Sequence, residues 1–130
     1  MPLKILLEVC GRDMYLENKC PDFFDTRKII EGVRNSDFLV SDDKCVHRIV
    51  GLKYDSQTMP EPVVTVICVR CQMSFAKRAA FSMGKRVYND SAFSAMIFRN
   101  YRVGQAIMER DYTAVSKVYV DYLLSVDKTW

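Results

Sequence analysis

Long hydrophobic runs are missing from this 130-residue chain. No stretch approaches the roughly eighteen apolar residues that a membrane-crossing helix requires, so no membrane partner is expected. Met1–Cys10 (MPLKILLEVC) is apolar, but Lys4 and Glu8 interrupt it and it is too short for the core of a secretory leader. Histidine is nearly absent as well, with His47 the sole example. A Cys–His nucleophilic pair would therefore have no evident orienting partner. The zinc-deaminase pattern is missing: Arg48 and Ile49 follow His47 where a catalytic Glu is needed, and Ile67 precedes Cys68 where a proline belongs. Gly84-Lys85-Arg86 lacks the earlier glycine and the following Ser or Thr of a phosphate-binding loop. These absences make catalysis the weaker class, and no catalytic residue is assigned. Cysteine is the exception to this scarcity, at five residues. The number is odd and no leader is seen, so an intracellular setting, cytoplasmic or nuclear, is expected. There, clustered cysteines signal metal more often than disulfides.

What is present reads as one α+β domain over residues 1–130, with a strand-rich part (1–71) and a helical part (72–130). Hydrophobic residues make up 49% and charged residues 27%, ordinary values for a globular chain long enough for one core but short for two. Leu3–Val9 alternates as a strand, and Met14–Glu17 can return as its hairpin partner. A short helix, Arg27–Arg34, follows with Ile29, Ile30 and Val33 on its buried side and Gly32 as a weak point. Phe38–Val40 reads as an apolar link. After Gln72 strand alternation disappears. Helices are expected over Ser74–Met83, from Asp90 or Ser91 onward, and over Gln105–Val126.

The most informative stretch is Cys45–Cys71. Two β-rich arms flank a polar, proline-bearing turn. Folding them about Ser56–Pro62 brings residue 45 opposite 71, and 48 opposite 68. Cys45 and His47 are two apart on a strand and so share a face. Cys68 and Cys71 have the two-residue gap of a metal knuckle. The four together suit a closed, structural, tetrahedral Zn²⁺ site, which in small domains contributes on the order of 10 kcal/mol to folding. Against this stands the plainer reading of cysteines buried as small hydrophobes, with Cys10 and Cys20 as free thiols. The best enzymatic rival is a thiol oxidoreductase using Cys68 and Cys71, because the pair precedes a helix.

The net charge of +3 conceals an asymmetry. Arg70, Lys77, Arg78, Lys85, Arg86, Arg99 and Arg102 face a single acid, Asp90, between residues 70 and 102. With Tyr88 and Phe98 as the aromatics most suited to exposure, such a block fits phosphates and unpaired bases. The run Val63–Phe75 (VVTVICVRCQMSF) resembles the zinc-binding silencing-suppressor proteins of sobemoviruses, although their second downstream Cys/His group is missing. That resemblance implies RNA binding. The expected function is thus a non-catalytic, zinc-stabilised nucleic-acid-binding regulator or adaptor, with RNA favoured over DNA. The alternative is a protein-interaction module without nucleic-acid binding. It would dimerise, or dock a helical partner, through Met108, Tyr112, Val115, Tyr119 and Tyr122, a 4-3-4-3 stripe on the last helix.

Overall fold

The computed structural model describes residues 26–42 and 48–127, with the backbone alone for Arg70, Cys71 and residues 125–127. The elements in chain order are α1 (Thr26–Asn35), β1 (Phe38–Asp42), β2 (Arg48–Lys53), β3 (Val63–Val69), α2 (Arg70–Ser82), β4 (Arg86–Asn89), α3 (Ser91–Asn100) and α4 (Tyr112–Asp127). A 3-10 turn at Glu109–Asp111 leads into α4. The strands form one sheet in the order β3-β2-β1-β4. β2 is antiparallel to both neighbours, and β4 lies parallel to β1. The α+β class is as expected. The first expected hairpin, Leu3–Glu17, lies outside the described residues.

Helices cover both faces of the sheet. On one, α1 and α2 bring Ile29, Val33, Met73, Ala76 and Ala80 against Leu39, Ile49, Val66 and Cys68. On the other, α3, α4 and the segment between them bring Phe93, Ile97, Tyr101, Ile107 and Val115 against Phe38, Val40, Val50, Leu52 and Val64. β1 is therefore buried along its whole length and β2 up to Lys53. A strand covered on both faces needs a nearly continuous apolar run rather than an alternating one. That is why Phe38–Val40, read as a link, is instead a central strand.

Alternation along β3 would put Val64, Val66 and Cys68 on one face. They do not share it. Val64 belongs to the α3/α4 side, whereas Val66 and Cys68 belong to the α1/α2 side. The cause is a bulge: Leu52 pairs with Val64 and Gly51 with Val66, which leaves Thr65 as the extra residue. The hairpin register expected from the sequence holds at the turn end, where Lys53 faces Val63. Past the bulge it slips by one, so Arg48 faces Val69 and not Cys68. The bulge is held from outside the hairpin. Ser36 Oγ lies 2.6 Å from Thr65 Oγ1 and donates to the Gly32 carbonyl at 2.7 Å. Two glycines permit this approach. A Cβ on Gly32 would lie 2.8 Å from the Thr65 carbonyl oxygen, and one on Gly51 2.7 Å from the Val66 side chain. Gly32 is therefore a contact position between helix and sheet.

The C-terminal half is not wholly helical. α2 gives way at Gly84, whose φ of +70° suits glycine, and Arg86–Asn89 pair with Phe38–Ser41. Four residues are too few for alternation to register in the sequence. α3 begins as expected, with the Asp90 carboxylate accepting the Phe93 N–H at 3.0 Å. The last helix starts at Tyr112, not Gln105. The residues before it run along the outer edge of β3. Gly104 N–H donates to the Val64 carbonyl at 2.7 Å, Val64 N–H to the Gln105 carbonyl at 3.0 Å, and Ile107 N–H to the Pro62 carbonyl at 2.8 Å. A strand edge left open would expose unpaired backbone groups, and this segment satisfies them.

Candidate functional site

Among the described residues an apolar groove lies where the β2–β3 connection meets α4. Tyr54, Pro60 and Pro62 form one wall, and Tyr112, Val115, Ser116, Tyr119, Val120 and Leu123 the other. The cavity measures about 380 Å³. Its proline wall is stiff, because each ring holds its own φ near a single value. Its floor is anchored by Asp37, at the α1–β1 corner. The Asp37 carboxylate accepts the Tyr54 N–H and the Tyr119 hydroxyl, both at 2.8 Å. Burial, and then the Asp37 charge, push the Tyr119 phenol upward, so it stays a hydrogen-bond donor. Its ring stacks edge-on against Phe38 at 4.7 Å, and Tyr122 packs beside it at 5.1 Å from the same ring.

Glu61 stands between the wall residues Pro60 and Pro62, and Glu109 three residues before Tyr112, so two carboxylates flank the groove in the chain. Desolvation and then the charges of Glu61 and Glu109 raise the Tyr112 phenol. A second, wider groove of about 850 Å³ flanks α4 and shares Tyr112, Ser116 and Val120 with the first. Val120, Leu123 and Leu124 stay half exposed, with Leu123 at 58%. An apolar side chain seated here would leave water and gain roughly 1.5–3 kcal/mol.

The stripe expected as an interface splits between two roles. Val115 is in the core and Tyr119 and Tyr122 pack on it, while Met108 and Tyr112 are exposed. Most of the stripe is thus covered by the chain's own sheet. Tyr54, Pro60, Pro62, Val120 and Leu123 were not singled out from the sequence. A signal did exist: Val118–Leu124 (VYVDYLL) holds one polar residue, more apolar surface than a single buried stripe uses.

The zinc-centred reading is not supported. Cys45 and His47 lie outside the described residues, as does the side chain of Cys71. Cys68, 1% exposed, sits in the apolar α1/α2 cluster because the bulge turns it there. Among the described residues no group of three His, Cys, Asp or Glu is placed to hold a metal ion. Cys68-Val69-Arg70-Cys71 is a strand-to-helix junction rather than a knuckle, with the Gln72 side chain accepting the Val69 N–H at 3.3 Å. Burial raises the Cys68 thiol to about 12, the opposite of what a redox nucleophile needs.

The nucleic-acid surface does not assemble either. Lys77, Arg78 and Lys85 follow α2 on one face of the sheet, whereas Arg99 and Arg102 follow α3 on the other; Arg86 lies on β4. The aromatics expected to stack on bases are otherwise engaged. Tyr88 packs against Phe38, and the Arg48 guanidinium lies 4.3 Å over the Phe98 ring.

Comparison with known proteins accounts for these departures. A search of curated protein sequences found no match. Among solved structures, the chain is similar to the cytoplasmic domain of FlhB from Shewanella putrefaciens, with a TM-score of 0.69 and 22% identity over 76% of this chain and 74% of that one. It is also similar to the EscU C-terminal domain carrying an Asn-to-Asp change, with a TM-score of 0.66 and 19% identity over 72% of this chain and 84% of that one. These likenesses establish the fold. Residues 23–121 match the FlhB HrpN YscU SpaS Family, a span that includes the whole sheet and most of α4. This overturns the zinc-stabilised nucleic-acid regulator, its RNA or DNA partners and the sobemovirus resemblance. The chain belongs to the FlhB HrpN YscU SpaS family.

Proposed function

We propose that this domain works at the cytoplasmic face of a type III export apparatus as an export-switch component, receiving an apolar segment of an exported protein in the groove beside α4. The observation that carries the reading is that both groove walls, apart from Leu123, fall within the family match at 23–121. A stiff proline wall facing half-exposed leucine and valine favours a short extended peptide, because little of the site must be ordered on binding. The two flanking carboxylates favour a peptide whose apolar residues are flanked by lysine.

The test is fluorescence anisotropy with a labelled peptide bearing two leucines between lysines. Binding is expected for the native chain and is expected to be lost in Leu123→Asp and Val120→Asp. Undiminished binding in both variants would overturn the groove as the site.

The same reading includes an intact backbone. FlhB and EscU C-terminal domains are autocleaving, and solved EscU forms are altered at an asparagine or at the adjacent proline. Here Pro2, Pro21, Pro60 and Pro62 follow Met1, Cys20, Met59 and Glu61, so the chain contains no Asn-Pro bond. Mass spectrometry of purified protein is expected to find a single species of all 130 residues. Two complementary fragments would refute this part of the reading.

A further inference from the structure

The basic residues of α2 surround a feature that the groove does not explain. Phe81 is 87% exposed, the most exposed large hydrophobic side chain among the described residues. It stands on α2 four residues after Lys77 and three after Arg78, so the three share a helix face. Lys85 follows four residues later, just past the Gly84 turn. Lys77, Phe81 and Lys85 line one open depression of about 410 Å³, together with the half-exposed Val87. No Asp or Glu occurs anywhere between Pro62 and Asn89. The residues that line the depression thus include two lysines and no carboxylate, with an apolar ring that projects beyond them.

A protein partner would have to supply a pocket matched to one protruding ring. A lipid surface needs no such match. Its headgroup layer takes an aromatic ring at the acyl boundary while long lysine and arginine side chains reach the phosphates. We propose that the Phe81 patch is a contact site for an anionic lipid surface, with Phe81 and Val87 entering the interface and Lys77, Arg78 and Lys85 on the headgroups. No described helix is long and apolar enough to cross a membrane. α2 and α4 pack on opposite faces of the sheet. A domain seated on lipid through α2 thus keeps the α4 groove turned to the aqueous side. The inference does not depend on the groove being a peptide site.

Co-sedimentation of the full chain with vesicles tests it. The chain is expected to pellet with phosphatidylglycerol-containing vesicles and not with pure phosphatidylcholine, and to dissociate as salt screens the headgroups. Phe81→Ser should weaken this association several-fold with unchanged circular dichroism. Each reversal among Lys77→Glu, Arg78→Glu and Lys85→Glu should cost at least about fivefold. Leu123→Asp, on the opposite side, should leave it untouched and serves as the control for fold. No pelleting with anionic vesicles at low salt would overturn the proposal. So would pelleting that survives Phe81→Ser and the reversals alike. A patch that instead bound an acidic protein would give the first of these outcomes.

Discussion

The two faces of the sheet are built from different materials. The α1/α2 side includes small residues, Ala76, Ala80 and Cys68, in its core, and Thr65 and Val66 approach Gly32 and Gly51 at distances that leave no room for another carbon. The α3/α4 side is packed with rings: Phe38, Phe93 and Tyr101 are buried, and Tyr88, Tyr119 and Tyr122 lean on them, the Tyr88 hydroxyl itself buried and the Tyr119 hydroxyl donated to Asp37. Small residues allow backbones to approach closely and close a layer completely. Rings cover area with few contacts between backbones, and they leave a rim. The groove beside α4 opens on the aromatic side, where the exposed Tyr54 and Tyr112 line it. The α1/α2 side is closed by close backbone approach, and the α3/α4 side carries the groove.

This contrast predicts opposite ways for the two sides to fail. The aromatic side should fail by emptying. Phe38→Ala would leave a void beneath Tyr119 and Tyr122 and should cost about 4 kcal/mol, read as a lower urea midpoint at unchanged slope. The small-residue side should fail by filling. Gly51→Ala would drive a methyl group into Ser36 and Val66, and is expected to cost about 2 kcal/mol. If Gly51→Ala proved neutral, the close approach would not be what fixes the bulge.

The smallest expected effect separates the two sides by pH. Burial holds the folded-state Cys68 thiol at about 12 against an ordinary 9.0, so folding favours the protonated form. Its contribution is complete below pH 9 and declines as pH rises from 9 toward 12, because the unfolded chain releases the proton first. Tyr119 is raised in the same sense from an ordinary 10.0, so the aromatic side starts to lose stability about one unit later. Cys68→Ala should therefore flatten the stability profile between pH 9 and 10 and leave the steeper fall above it. A profile unchanged by Cys68→Ala would place the alkaline sensitivity wholly on the tyrosines.

Elements of local origin could be read directly from the residues. α1 came from its apolar spacing, and α3 from Asp90 or Ser91 as a cap. The β2–β3 hairpin followed from β-branched residues around a proline-bearing turn. The elements misread depend on partners far along the chain. β1 is a strand because β2 and β4 pair with it and helices cover both its faces. Residues 104–107 are non-helical because the edge of β3 needs donors and acceptors, which they supply after a turn at Val103–Gly104.

The cysteine motif shows most clearly where local reading stops. The sequence by itself determined the class of the domain, the hairpin and its turn, the cap of α3, and the surplus of apolar residues on α4, all set by periodicity and short-range hydrogen bonding. Only the tertiary structure decided that Thr65 bulges, because Ser36 reaches it from a different element. That one extra residue turns Cys68 into the apolar core between α1 and α2. The tertiary structure likewise decided which tyrosines face inward and which side of α4 is left open, since burial depends on what the rest of the chain brings to each face.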